Sequence, residues 1–226
     1  MIDTVIFDLD GTLLNTLEDL KNSTNFALKK FGFSERTLEE VRIFVGNGLR
    51  RLIEQAVPEE TDAATVDAVL AAMKAHYQEH CVCKTVPYPG IFELLEHLKS
   101  AGFRLAIVSN KAAPMVAQLR KAFFDGQIEI ALGESEQLRR KPWPDMAFSA
   151  IEQLRSAAER TVYVGDSEVD VQTAKNAGIP CLSVGWGFRS AQVLRRAGVE
   201  KIYDTPQALL DALLLLGEVG TVAVHF

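Results

Sequence analysis

The sequence predicts an α/β fold, a Rossmann-like parallel sheet core with an inserted all-helical cap subdomain. Three observations lead there. Short apolar runs, each ended by glycine or polar residues, alternate with amphipathic stretches, which is the pattern of buried parallel strands joined by crossover helices. One long interval breaks that alternation and is helical throughout. The chain has 226 residues, 48 % of them apolar, enough to bury a core of that kind.

In chain order, "TVIFDLD" (4–10) is the first strand and ends in two aspartates spaced two apart. From about Thr16 to Cys83 no strand is convincing, and apolar residues fall at three- and four-residue steps, one face of a helix. Gly46-Asn47-Gly48 and Pro58 punctuate this interval, and "TVPYPG" (85–90) reads as the return hinge. The rhythm then resumes with strands at 104–110, 128–133, 161–167 and 179–185, and a weaker one at 200–204. Amphipathic stretches at 90–101, 112–123, 144–155, 168–177 and 206–216 supply the helices. Residues 1–15 and 86–226 therefore form the predicted core, and 16–85 the predicted cap. Crossovers between parallel strands of one sheet are expected to be right-handed.

Composition narrows the function. The formal net charge is −6 and the isoelectric point about 5.3, which argues against nucleic acid as a partner because phosphate backbones need clustered Lys and Arg. No apolar run is long enough to span a membrane, and "MIDTVIFDLD" lacks the basic opening of a secretion signal. The three cysteines, Cys81, Cys83 and Cys181, give no disulfide framework. A cytoplasmic protein, monomer or homodimer, is the expectation.

Open parallel sheets bind ligands beyond the carboxyl ends of their strands. At those ends stand Asp8 and Asp10, then Ser109 and Asn110, then Lys141 in "RRKPWPD", then Asp166, with Asp170 one helical turn further. Alternation along an extended strand would put Asp8 and Asp10 on one side, where like charges repel unless a cation intervenes or a proton is taken up. An all-oxygen set suits Mg²⁺, and carboxylate-held Mg²⁺ beside a lysine is a phosphate site.

The motifs "FDLDGT" (7–12), "VSN" (108–110), "KP" (141–142) and "GDSEVD" (165–170), in this order and at these strand ends, resemble the phosphatase branch of the haloacid dehalogenase-like hydrolases. "VGNGLRRLI" (45–53), "YPGIFELLEHLKSAGFRLAIVSNK" (88–111) and "VGWGF" (184–188) are most similar to its phosphoglycolate phosphatases. The resemblance implies Asp8 as nucleophile forming an aspartyl-phosphate and Asp10 as general acid and then base. It implies Mg²⁺ held by the Asp8 carboxylate, the Asp10 main-chain carbonyl and Asp166, with Asp170 behind them. Ser109, Asn110 and Lys141 would hold the phosphoryl oxygens, and Thr12 would steady the turn and the leaving-group side. The substrate would be a small phosphorylated metabolite.

The chain departs from the family pattern at Asn15, where Asp is usual, and at Trp143, where a smaller or polar residue is common. Asn15 can still cap the next helix; Trp143 would alter the pocket rim. The tail 217–226 has no counterpart and is left between an edge strand and a partner contact. In the cap, Gly46 and Gly48 precede a helix start, which favours an anion. Arg50 is the candidate to clamp a substrate carboxylate there, against the alternative of a solvated arginine. His76, His80, Cys81 and Cys83 are ligand types, but their place in a cap helix and linker argues against zinc. The rival enzymes are a β-phosphoglucomutase-like mutase, a pyrophosphatase and a nucleotidase. The rival from another class is an idle binding or regulatory protein.

Overall fold

The computed structural model describes residues 1–218, which fall into two compact units, 1–14 with 87–218 and 15–86. The first unit holds a six-stranded sheet built from β1 (Thr4–Phe7), β4 (Arg104–Ala112), β5 (Ile130–Glu134), β6 (Thr161–Gly165), β7 (Cys181–Val184) and β8 (Ile202–Tyr203). The order is β5-β4-β1-β6-β7-β8, and every pairing is parallel. β1 lies central, with Thr4–Phe7 in register with Arg104–Ile107 on one side and Thr161–Val164 on the other.

Both sheet faces are covered, so β1 is apolar without alternation: Val5, Ile6 and Phe7 are fully buried. On one face Ile6, Ala106, Val108 and Tyr163 pack against Met146, Ala147 and Ala150 of α7 (Asp145–Gln153) and Ala174 and Ala177 of α8 (Glu168–Ala177). Burying each large side chain contributes about 1.5–3 kcal/mol. The remaining helices of this unit are α5 (Ile91–Ser100), α6 (Ala113–Phe123), α9 (Ala191–Arg196) and α10 (Pro206–Glu218). α10 takes in Gly217 and Glu218; the tail reading otherwise falls on 219–226, outside the described residues.

The second unit is helical: α1 (Leu17–Lys30), α2 (Leu38–Phe44), α3 (Gly48–Ala56) and α4 (Ala63–His80). Thr37 and Glu40 form a reciprocal capping box that starts α2, and the Asp62 side chain caps α4. At α1 the Asn15 side chain accepts from Leu17 N at 3.3 Å, one residue outside the N-cap. The chain passes between the units through β2 (Leu14–Asn15) and β3 (Val86–Pro87), which pair in a small sheet of their own. Near β3 the buried Asp19 carboxylate accepts from Lys84 N, Thr85 N and the Thr85 hydroxyl at 2.8–3.0 Å, an anchor for the return segment within the helical unit.

Candidate active site

β1 stops at Phe7, three residues before the predicted end, because the chain turns. Leu9 O accepts from Leu13 N and Leu14 N at 3.0 and 2.9 Å, and Gly11 N donates to Leu14 O at 2.9 Å. Gly11 sits at φ +88°, a conformation that side chains resist. Asp8 and Asp10 therefore lie in the turn after β1 rather than in the strand itself. Each meets its own lysine: Lys141 Nζ lies 2.8 Å from Asp8 Oδ1, and Lys111 Nζ lies 3.2 Å from Asp10 Oδ2.

Lys141 is 4 % exposed and bridges two carboxylates, its second contact being Asp170 Oδ1 at 2.7 Å. Burial alone would neutralise it, but Asp170 and Asp8 outweigh that and hold it firmly protonated. Asn110 grips the same residue by its main chain: Lys141 N donates to Asn110 Oδ1 at 2.6 Å, and Asn110 Nδ2 donates to Lys141 O at 3.1 Å. Ser109, beside it on β4, is buried, and its oxygen accepts from Lys111 N at 3.2 Å. β4 thus carries both Ser109 and Lys111, and its register on β5 shifts between Ser109 and Ala112.

β6 ends at Gly165, and Asp166 follows at the turn into α8. Asp166 Oδ2 accepts from Phe188 N at 2.6 Å, and its Oδ1 lies 3.4 Å from the Thr12 hydroxyl. Asp170 is fully committed. Its Oδ1 takes Lys141, and its Oδ2 takes Ser167 N and Oγ at 3.1 and 2.6 Å, closing the capping box that starts α8. Three glycines make room for these acids. A Cβ on Gly11 or Gly187 would stand 2.4 or 2.3 Å from Asp166 Oδ2, and one on Gly165 would stand 2.3 Å from Asp170 Cγ.

Carboxylate oxygens of Asp8, Asp166 and Asp170 lie within 4.8 Å of one another, the one such cluster of potential metal ligands among the described residues. Burial, then the charge of Asp170, pushes the Asp8 carboxyl well above its ordinary range despite Lys141. The same two causes, in the same order, push Asp166 up to about 7. Three buried acids against one ammonium leave an excess of negative charge that a divalent cation would neutralise. The oxygens left open fit this, because among the described residues Asp8 Oδ2 makes no hydrogen bond and Asp166 Oδ1 only the long one to Thr12.

Two other predicted positions stand apart. Arg50 is about half exposed and ion-paired within the helical unit, to Asp67 on α4 and to Glu54 at 3.5 Å. Gly46 and Gly48 before it both have positive φ. Trp143 is an exposed ring with the Arg139 guanidinium 4.1 Å above it. A second tryptophan, Trp186, not singled out from the sequence, donates from Nε1 to Thr12 O at 3.0 Å and so fastens the aspartate turn. Lys111 was also missed, because a single lysine after a strand reads as a solvated charge. Its place directly after "VSN" was the only signal.

A parallel sheet that gathers aspartates, a serine and a buried lysine at the carboxyl edge is the arrangement of a haloacid dehalogenase-like hydrolase. The sequence profile of that description matches residues 5–184, and the chain belongs to the family. Within it the chain is a phosphatase. A phosphoglycolate phosphatase of Colwellia psychrerythraea is 33 % identical over 219 residues, spanning 93 % of this chain and 96 % of the relative. Another, of Aquifex aeolicus, is 32 % identical over 189 residues, spanning 81 % and 85 %. A crystal structure from Lactobacillus delbrueckii subsp. bulgaricus, provisionally assigned as a phosphoglycolate phosphatase, superposes with a TM-score of 0.89 at 36 % identity and covers 93 % of this chain and 98 % of its own.

Proposed function

We propose that this phosphatase is a Mg²⁺-dependent phosphomonoesterase whose substrate is phosphoglycolate, and that it works through a phosphorylated Asp8. One observation carries the reading: Lys141 Nζ sits between Asp8 and Asp170, leaving Asp8 Oδ2 unengaged. Asp8 Oδ2 attacks phosphorus while Lys141 offsets the charge that builds on the phosphoryl oxygens. Ser109 supports the same oxygens. Asn110 acts through Lys141, whose backbone it holds on both sides.

Asp10 gives its proton to the departing alkoxide. It then takes one from the water that cleaves the acyl-phosphate. Lys111 Nζ, 3.2 Å from Asp10 Oδ2, fixes where Asp10 points, and the other oxygen of Asp10 carries the proton. Asp8, the Asp10 carbonyl and Asp166 would hold Mg²⁺, which supplies positive charge for the phosphoryl group and suppresses repulsion between it and the carboxylates. Asp170 keeps Lys141 charged and in place. Residues 16–85 serve as the cap in this reading. Arg50 would hold the carboxylate of the substrate, exchanging Asp67 for it. The names of the relatives support the choice of phosphoglycolate; a monomer or homodimer working in the cytoplasm completes the proposal.

The experiment is phosphate release from phosphoglycolate and a panel of sugar phosphates, pyrophosphate and nucleotides, with Mg²⁺ and with chelator, on the native chain and on Asp8→Asn. The reading expects Mg²⁺-dependent release, fastest from phosphoglycolate, and a folded but inactive variant. Release that survives in Asp8→Asn above about a hundredth of the native rate removes Asp8 from the role. Isomerised sugar phosphate without free phosphate would make the chain a mutase, and no turnover of any phosphate ester would make it an idle binding protein.

A further inference from the structure

At the opposite edge of the sheet, where β4 and β5 begin, lies a second cavity of about 510 Å³. It is five residues along β4 from Ser109, roughly 16 Å away at the rise of a strand, and it uses no residue of the aspartate cluster. Its size is that of a small-molecule site.

Three cations line it: Lys99, Arg104 and Arg155. Among the described residues none of them forms an ion pair, although Glu129 lines the same cavity. Lys99 and Arg104 donate only to main-chain carbonyls, those of Gly126 and Arg155, and the Arg155 guanidinium has no partner among the described residues. Elsewhere on this chain arginines do find acids, as at Arg42–Glu39 and Arg139–Asp145.

Arg155 is also the one described non-glycine residue at positive φ, +51°. It occupies the left-handed position that ends α7, with Arg155 N on Glu152 O at 2.9 Å and Ser156 N on Ile151 O at 3.0 Å. Glycine is the unstrained choice there. The surroundings hold the strain in place: Arg104 Nη1 donates to Arg155 O at 3.0 Å, and the hydroxyl of Thr4 donates to Ser156 Oγ at 2.7 Å. Backbone strain maintained by its neighbours points to a side chain that is needed.

The rest of the lining defines the ligand. Leu154 and the edge of Phe103, a residue 8 % exposed, make the apolar part of the wall. Gln127 carries a buried side-chain oxygen with no hydrogen-bond donor, a group whose burial is unfavourable unless a donor meets it. An anion alone would not use the apolar wall, and an acyl chain would not use the amide. A molecule with a phosphate at one end and a flat, donor-bearing ring at the other uses all three.

We propose that this cavity binds a nucleoside monophosphate, with its phosphate among Arg104, Arg155 and Lys99 and its base against Phe103, donating to Gln127. The proposal does not rest on the phosphatase reading.

The test is a titration of the ¹⁵N-labelled full chain with AMP in chelator, followed by amide shifts. Calorimetry accompanies it on the native chain, Arg155→Gly and Arg104→Gln. Saturable shifts at residues 99–105, 127–130 and 153–156 are expected, with affinity about tenfold lower in each variant, the scale of one charge-assisted bond. Arg155→Gly should melt no lower than the native chain, since glycine relieves the left-handed strain, and should hydrolyse p-nitrophenyl phosphate as fast. Ribose 5-phosphate and inorganic phosphate should bind at least about tenfold more weakly than AMP, having no base to read. Shifts confined to residues 8–12, 109–111 and 165–170 would overturn the proposal. So would equal AMP affinity in native and Arg155→Gly proteins, or ribose 5-phosphate binding as tightly as AMP.

Discussion

Gly187→Ala adds one methyl group and tests how Asp166 is held. Built on the existing backbone, the new carbon would stand 2.3 Å from both Cβ and Oδ2 of Asp166. Ordinary contact begins near 3.4 Å, so one partner has to move by about 1 Å. The loop cannot withdraw freely, because the next residue, Phe188, donates its N–H to the same Oδ2 at 2.6 Å. Either that bond stretches or the carboxylate turns away from Asp8.

Overpacking of this kind costs about 1–3 kcal/mol, which for a chain of this length lowers the melting temperature by roughly 2–12 °C. The catalytic cost is of the same size in free energy but easier to read, since a 1 Å misplacement of a working group lowers rate by about 10²-fold. The assay is hydrolysis of p-nitrophenyl phosphate titrated with Mg²⁺, with melting followed separately in chelator. A folded variant with kcat down by about two orders of magnitude and a higher Mg²⁺ requirement is expected. A rate within about threefold of native and an unchanged Mg²⁺ midpoint would refute the reasoning, because the Asp166 position would then not matter to metal or rate.

Asp10→Asn should slow turnover by about 10²–10⁴-fold on an alkyl phosphate. The loss should be smaller on p-nitrophenyl phosphate, whose leaving group needs little protonation, and equal losses would exclude Asp10 as the acid. Arg50→Ala should raise KM for phosphoglycolate about tenfold and leave p-nitrophenyl phosphate unaffected; parallel changes would confine Arg50 to its pairing with Asp67 and Glu54. The pH dependence follows from Asp166, raised to about 7, and from Asp8, raised in the same direction. Between the ordinary carboxylate range and about 7 the folded chain retains protons that the unfolded chain has released, so stability falls as pH rises through that window. Metal-free protein should therefore melt lower at about pH 8 than at about pH 5, and Mg²⁺ should restore stability at the higher pH and do little at the lower. A melting temperature flat across this range in chelator would contradict the burial of these acids.

The strands were legible because a doubly covered parallel sheet makes each one a continuous apolar run, as at Val162–Val164 and Leu105–Val108. Their ends were less so. "TVIFDLD" reads as one strand, yet Leu9 O collects the N–H groups that end it, a turn that apolar patterning does not signal. α9, six residues with Leu194 its one buried member, was too short to show a period. Asp8, Asp166 and Lys141 could be named because each stands at or near a strand end in a recurring motif. The contacts among them could not. Gly165 and Gly187 matter for what approaches them from elsewhere in the chain, and Lys111 is distinguished only by the carboxylate that folding brings to it. For Arg50, the pairing to Asp67 depends on how α3 and α4 lie together, which spacing within α3 does not reveal.

The carboxylate of Asp170 has two employers. One oxygen completes the first turn of α8, and the other is the counter-ion that keeps Lys141 charged. Substituting it injures a helix terminus and an ammonium's protonation in a single step, so a mutational scan would rank Asp170 among the least tolerant positions although its oxygens never touch the phosphoryl group in the scheme above. Coupling also runs the other way. Any event that draws Lys141 toward an arriving phosphate relaxes its hold on Oδ1 and frees that acid to tighten on Ser167. The start of α8 should then grow more protected from amide exchange as the substrate site fills, which makes the helix a built-in reporter of occupancy.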